Sequence, residues 1–234
     1  MIAPATEGSL PTTEFLQQRV AVLGKVMFCV TMSGVCLRAG VDLSGAGPEA
    51  LWKLDFLLNL IGNTTFGVLW LVCAGKPRSE TFVISLETVA LVLAATAYAL
   101  MGTNLRLAAL VEYPQASSGV LEFSHHYAST IVLLVLTYAM VIRAALVPSS
   151  ARRTSLLTTV VGLPLVIITA FGYMPQGDGD SALAHAFQDA VWWSFTVIIC
   201  AAISDVIYGL RRKVLEARRL GQYTLQERLG EGVM

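Results

Sequence analysis

The last fifteen residues, LGQYTLQERLGEGVM, carry the pattern most specific for a chemical task. Apolar Tyr223, Leu225 and Leu229 stand among polar neighbours, which predicts a β-strand. The strand leads into a turn with Gly230 and Gly232 in place for a G-x-G-x-x-G loop, and the chain stops one position before the third glycine. Because glycines in such a loop let backbone amides approach phosphates closely, the pattern predicts the start of a nucleotide-binding domain.

The three histidines could serve a different chemistry. His125, His126 and His185 are near acidic residues in sequence, and histidine beside carboxylates suits a pH or metal sensor. Their spacing matches no zinc pattern, and adjacent histidines point different ways on a helix. We therefore interpret them as polar residues of outer loops. The acids beside them are Glu122, Asp178, Asp180 and Asp189.

Polar residues also interrupt the apolar segments of the chain. Asp55, Asn59 and Asn63 recur every four residues, so they share one face of a helix. Lys25 and Glu87 each lie five or six residues inside an apolar segment and are placed to pair. A polar cavity that senses a ligand or ion would use such groups. Helix packing through hydrogen bonds and one ion pair is the favoured alternative.

The composition of the chain predicts the secondary-structure elements that would position these residues. With 55% apolar and 14% charged residues and zero net charge, the chain has the composition of a membrane protein. A helix needs about 20 apolar residues to cross a bilayer. The predicted fold is an all-α bundle of six transmembrane helices at 20–38, 54–74, 82–102, 128–147, 155–173 and 187–208.

The cysteines all lie in these predicted spans, without a C-x-x-C spacing. We interpret Cys29, Cys36, Cys73 and Cys200 as small apolar packing residues, and we expect neither a disulfide framework nor a metal site.

Orientation follows from the lysines and arginines outside the spans. Alternate connections are rich in them, whereas Arg38, Lys53 and Arg106 are the only cations on the other side. By the positive-inside rule, both termini are expected in the cytoplasm, with span one as an uncleaved anchor. The cations on the expected inner side are Lys76, Arg78, Arg143, Arg152, Arg153, Arg211, Arg212, Lys213, Arg218 and Arg219.

The tail resembles the opening of the catalytic domain in bacterial membrane-attached Ser/Thr protein kinases of the eukaryotic type. The resemblance covers about 140–234, including RAALVPSSARR and VIYGLRRKVLEARRLGQYTL, and weakens before that. It implies that Leu229 packs against adenine and that Gly230 and Gly232 are the first two glycines of the phosphate loop. Val233 departs from the glycine often found there.

The resemblance implies ATP, Mg²⁺ and phosphorylation of protein Ser/Thr for the full-length family. The phosphate-binding lysine, the H-R-D loop and the D-F-G aspartate are missing from this sequence. This chain alone is therefore expected to bind neither ATP nor Mg²⁺ and to catalyse nothing, as a kinase truncated at its glycine loop. Related membrane regions also precede nucleotide cyclase domains.

The sequence therefore predicts four parts of the chain. They are a cytoplasmic segment at 1–19, the six-span domain at 20–208, a basic juxtamembrane helix at 209–220 and the truncated start of a kinase domain at 221–234. We expect the bacterial inner membrane as the location, and no nucleic acid as partner. Homodimerisation stays open, as does a freestanding transporter or ligand-binding module. Anionic inner-leaflet lipids are expected near Arg211, Arg212, Lys213, Arg218 and Arg219.

Overall fold

The computed structural model describes residues 12–112, 118–147, 149–173 and 179–230, and their regular structure is entirely helical. Six helices contain segments long and apolar enough to cross a membrane, so the prediction of an all-helical fold with six candidate membrane spans is confirmed for these residues. A short 3₁₀ helix, Pro48–Trp52, connects the first two. The helices are α1 (Thr12–Gly45), α2 (Leu54–Cys73), α3 (Glu80–Glu112), α4 (Ser118–Leu146), α5 (Ala151–Tyr173) and α6 (Gly179–Gly230).

Helix α3 is the centre of the bundle, in contact with α1, α2, α4 and α5. Its buried residues include Ala90, Ala94, Ala95 and Ala97. Small side chains allow helix backbones to approach closely, which is a main source of packing energy inside a membrane. The alanine-rich sequence of α3 therefore explains its central place.

Two glycines bring neighbouring helices together. A Cβ atom at Gly24 would lie 2.7 Å from the backbone nitrogen of Trp70, so α1 and α2 touch through their main chains. A Cβ atom at Gly162 would lie 1.9 Å from Nε1 of Trp193, whose indole fills the space between α5 and α6. Each contact requires the absence of a side chain.

The helices alternate in direction, which gives the bundle two ends. We call the end with the start of α1 and the α2–α3 and α4–α5 connections the basic end, and the opposite one the far end. At the basic end Gln17 holds the α2–α3 connection: its Nε2 donates to the carbonyl oxygens of Cys73 (2.9 Å) and Lys76 (3.0 Å). Its Oε1 accepts from the Arg78 amide at 2.9 Å.

The predicted strand at the chain end is not confirmed. Residues 221–230 continue α6 as helix, and Gly232 lies outside the described residues. A lone strand cannot satisfy its backbone groups without a neighbouring strand, whereas helix 209–220 supplies hydrogen-bond partners for the next turn. The segment therefore extends the helix that precedes it.

The expected long outer loop at 103–127 is mostly helical as well. Helix α3 runs to Glu112 and α4 starts at Ser118, so the backbones of His125 and His126 lie in α4 and that of His185 lies in α6. The assignment of the histidines to loops was therefore wrong. The side chains of His125 and His126 lie outside the described residues. The histidines were assigned to loops because only the apolar segments were counted as helix. A helix can extend beyond the apolar segment that marks its membrane span.

Candidate functional site

An ion cluster lies at the basic end, around the buried Glu87 of α3. The Glu87 Oε1 atom accepts from Arg143 Nε at 2.8 Å, and its Oε2 atom accepts from Arg153 Nη2 at 3.0 Å. Glu87 and Arg143 have no exposed surface, whereas the Arg153 side chain is 29% exposed. One carboxylate thus joins an arginine of α4 to an arginine of α5.

Hydroxyl groups continue this cluster to α6. Arg143 Nη1 donates to Ser149 Oγ and to Thr154 Oγ1, each at 2.9 Å. The Thr154 hydroxyl is also 2.8 Å from the hydroxyl of Ser204 on α6. A continuous polar path therefore connects four helices, and we call these six residues the inner cluster: Glu87, Arg143, Ser149, Arg153, Thr154 and Ser204.

The inner cluster carries one more positive than negative charge. A buried carboxylate or guanidinium is costly unless it is paired and hydrogen-bonded, and the arrangement around Glu87 meets both conditions. Arg143 Nη2 is buried and has no hydrogen-bond partner among the described residues. The cluster can therefore hold four helices in one arrangement, and it would change if any member lost its charge.

This geometry corrects two expectations. Glu87 pairs with Arg143 and Arg153 and not with Lys25, whose Nζ lies 5.6 Å from the ring centre of Trp70. Arg143 is not a loop cation, because it lies within α4 and is completely buried. The sequence did hold a signal: Arg143 directly follows the apolar run AMVI within a predicted span, where a charge needs a partner.

The polar face predicted for α2 is confirmed, and it points towards α1. Asp55 is buried and accepts a hydrogen bond from Arg38 Nη2, while Arg38 Nε donates to Asp42 at 3.3 Å. Deeper in the bundle, the hydroxyl of Thr31 bonds the side-chain oxygen of Asn63. These contacts join α1 to α2 along the far half of the bundle.

Asn59, the middle residue of that face, lines a cavity of about 760 Å³. The cavity lies between α1 and α4, with α2 and α3 behind it, and it reaches from Arg38 to Ile142. Its wall is mainly apolar, and exposed residues such as Val30, Leu37 and Tyr138 place its rim on the bundle surface. The volume is in the range that holds a small molecule.

Two polar groups of this cavity lack partners. The Asn59 amide makes no hydrogen bond to the described residues, and neither does the buried hydroxyl of Tyr98. Thr31 lies beside Tyr98, and its hydroxyl, whose single hydrogen serves Asn63, is also 2.7 Å from the Met27 carbonyl oxygen. Tyr98 is buried and Asn59 is half-buried. An unpaired buried polar group is costly, so a ligand that offers a hydrogen-bond partner to Tyr98 would be stabilised here.

The cysteines are divided between core and surface. Cys73 and Cys200 are buried, as packing residues should be, whereas Cys29 and Cys36 are exposed on α1. The packing interpretation is thus confirmed for the first pair.

The predicted nucleotide-binding residues do not form a loop in the described part of the chain. Leu229 and Gly230 are the last residues of α6, and Gly232 lies outside the described residues. The predicted role of these three residues in ATP binding therefore stays a prediction.

Comparison with protein-family models, with curated proteins and with solved structures finds no match to this chain.

Proposed function

We propose that this chain is the membrane-anchoring and sensing portion of a Ser/Thr protein kinase. The observation that carries the sensing role is the path through the inner cluster, which ends at Ser204 on α6. Helix α6 has 52 residues and continues without interruption to Gly230. A change among the other helices can therefore reach a segment well beyond the bundle.

The length of α6 beyond the bundle is suitable for transmitting such a change. The apolar segment of α6 ends at Leu210, and the helix continues for another 20 residues to Gly230. At 1.5 Å per residue this extension is about 30 Å long. It would carry a rotation or shift of α6 to a catalytic domain attached behind it.

The cavity between α1 and α4 supplies the input. Its apolar wall and the unpaired groups of Asn59 and Tyr98 favour a mostly apolar ligand with a few hydrogen-bonding atoms. Such a ligand would bring α1 and α4 into closer contact. Because α4 carries Arg143, movement of α4 would act directly on the inner cluster.

The kinase assignment rests on the resemblance of the tail and on the charge asymmetry of the connections. Both support a bacterial inner-membrane location with the end of α6 in the cytoplasm, where ATP and Mg²⁺ would serve a following catalytic domain. A cytoplasmic reporter fused after residue 230 should be active, and a periplasmic one should be silent. The reverse result would contradict the kinase assignment.

A fusion tests the whole proposal. A kinase domain of this family joined behind α6 should phosphorylate Ser/Thr in a manner that depends on Mg²⁺ and ATP. Gly34 lines the cavity, and a Cβ atom there meets nothing within 4 Å, so Gly34→Phe should fill the cavity as a ligand would. We expect this variant to change the phosphorylation rate.

The matched control is Gly40→Phe, on the same helix, which also meets nothing within 4 Å but does not line the cavity. It should leave the rate unchanged. A folded but silent fusion would count against the kinase assignment, and equal rates in all three proteins would count against sensing through the cavity.

The cavity also favours a second candidate, a freestanding ligand-binding or transport module. In that case the helical extension after Leu210 has no output role. Removal of residues 211–230 should then leave ligand binding or uptake intact, whereas the receptor proposal requires this segment for any downstream response.

A further inference from the structure

A second cleft lies on the bundle surface at the basic end, between α3 and α5. Its volume is about 360 Å³, and its lining is polar at one end and apolar at the other. The lining residues are Ile84 and Thr88 from α3, Ser150 before α5, and Arg152, Arg153, Leu156, Leu157 and Val160 from α5.

The order of these residues along α5 gives the cleft a direction. Arg152 and Arg153 stand in the first turn, Leu156 and Leu157 one turn later, and Val160 another turn on. Both α3 and α5 begin their apolar segments at this level. The cationic end of the cleft is therefore at the depth of lipid head groups, and its apolar end is at the depth of acyl chains.

Charges around the cleft favour an anion. Arg152 is exposed, and its side chain makes no ion pair or hydrogen bond with the described residues. Arg153 uses Nη2 to bind Glu87, and its other guanidinium nitrogens have no hydrogen bond in the described part of the chain. With Arg143 and Glu87 behind it, this region has a net charge of +2.

The start of α5 adds hydrogen-bond donors. The Ser150 hydroxyl accepts from the Arg153 amide at 3.3 Å and thereby caps the helix. The amides of Ala151 and Arg152, as the first of α5, have no partner within the helix. Helix starts of this kind favour phosphate groups, and here two guanidinium groups stand beside one.

We propose that this cleft binds one anionic phospholipid of the membrane. Its phosphate is bound by Arg152, Arg153 and the start of α5, and an acyl chain lies along Leu156 and Val160. The residues that line the cleft are different from the basic residues that follow Leu210. It does not depend on the kinase assignment. Because Arg153 contacts both the lipid and Glu87, occupancy would stabilise the inner cluster.

The test uses the full chain in nanodiscs of phosphatidylcholine with and without phosphatidylglycerol, with the retained lipid measured by native mass spectrometry. Wild type should retain phosphatidylglycerol preferentially. Arg152→Gln should lower this preference roughly fivefold, since a cation near the surface contributes about 1 kcal/mol. Arg153 is kept, because it also binds Glu87.

Lys76→Gln is the matched control, since it removes one exposed cation of the same end outside the cleft. It should leave the preference unchanged. Val160→Trp keeps every charge and fills the apolar part of the cleft, so it should displace the lipid while inorganic phosphate still protects Arg152 from guanidine-specific labelling.

Circular dichroism and a single gel-filtration peak establish that each variant is folded. Three results would overturn the proposal: no preference in wild type, equal loss in Arg152→Gln and Lys76→Gln, or a preference that survives Val160→Trp. The second result would indicate diffuse attraction by surface charge, and the third would indicate binding of the lipid head group without an acyl chain along Val160.

Discussion

At the basic end one carboxylate is shared by two arginines, whereas at the far end Arg38 is shared by two aspartates. Glu87 and Arg143 are completely buried, but Arg38 is 24% exposed. Hydroxyl groups surround the first network and extend it to α6. Beside the second network lies a cavity with unpaired polar groups. The difference indicates that the basic end sets helix positions and the far half leaves space for a ligand.

Loss of charge should distinguish the two ends most strongly. Glu87→Gln leaves Arg143 buried without a counter-ion, so the free energy of unfolding should fall by about 3–5 kcal/mol. Asp55→Asn should cost roughly 1 kcal/mol or less, because Arg38 is partly exposed and keeps Asp42. Denaturant titration in micelles, followed by circular dichroism, measures both. Equal losses would remove the distinction between the ends.

A double variant sharpens this result. Glu87→Gln with Arg143→Met removes both buried charges and should recover much of the lost stability, since well-packed apolar residues can replace a buried ion pair. If the double variant is as unstable as Glu87→Gln alone, the pair does not account for the loss.

Packing should give the next largest effect. Gly162→Ala would place a methyl group against Trp193, whose Nε1 donates to the Thr158 carbonyl oxygen at 2.9 Å. Overpacking of this kind costs about 1–3 kcal/mol. Gly40→Ala meets no neighbour within 4 Å and should be neutral or slightly stabilising. Thermal unfolding of the two variants side by side would show the difference, and an unchanged midpoint for Gly162→Ala would contradict the close contact.

Deletion of one hydroxyl in the inner cluster should destabilise the protein, whereas deletion of one hydroxyl in the cavity should not. Thr154→Val leaves Arg143 Nη1 and Ser204 with one partner fewer, so we expect a loss of about 1–3 kcal/mol. Tyr98→Phe removes a buried hydroxyl that has no partner, so it should leave unfolding unchanged or raise its free energy slightly. A large loss for Tyr98→Phe would mean that its hydroxyl is paired, which would leave Asn59 as the unpaired polar group of the cavity.

Local patterns predicted much of this architecture. Six apolar segments appeared as six helices, and the four-residue spacing of Asp55, Asn59 and Asn63 placed them on one face towards α1. Both signals depend only on distances along a helix. The partner of Glu87 was predicted wrongly, because depth in the membrane is equal for several cations and sequence spacing does not say which helices are neighbours.

In residues 221–229 a local pattern gave the wrong secondary structure. The apolar spacing of 221–229 favoured a strand, but a strand is stable only beside another strand, and in the described chain the segment follows a helix. Its predicted role in nucleotide binding therefore stays a prediction.

By itself the sequence determined the number of helices and the polar faces, because bilayer thickness and helical periodicity act within single segments. Only the tertiary structure decided that Arg143 is buried against Glu87, that four helices meet at Thr154 and Ser204, and that α1 and α4 leave a cavity. The reason is physical: an ion pair, a hydroxyl path and a cavity each depend on the relative positions of different helices, which the packing of Gly24, Gly162 and the alanines of α3 sets.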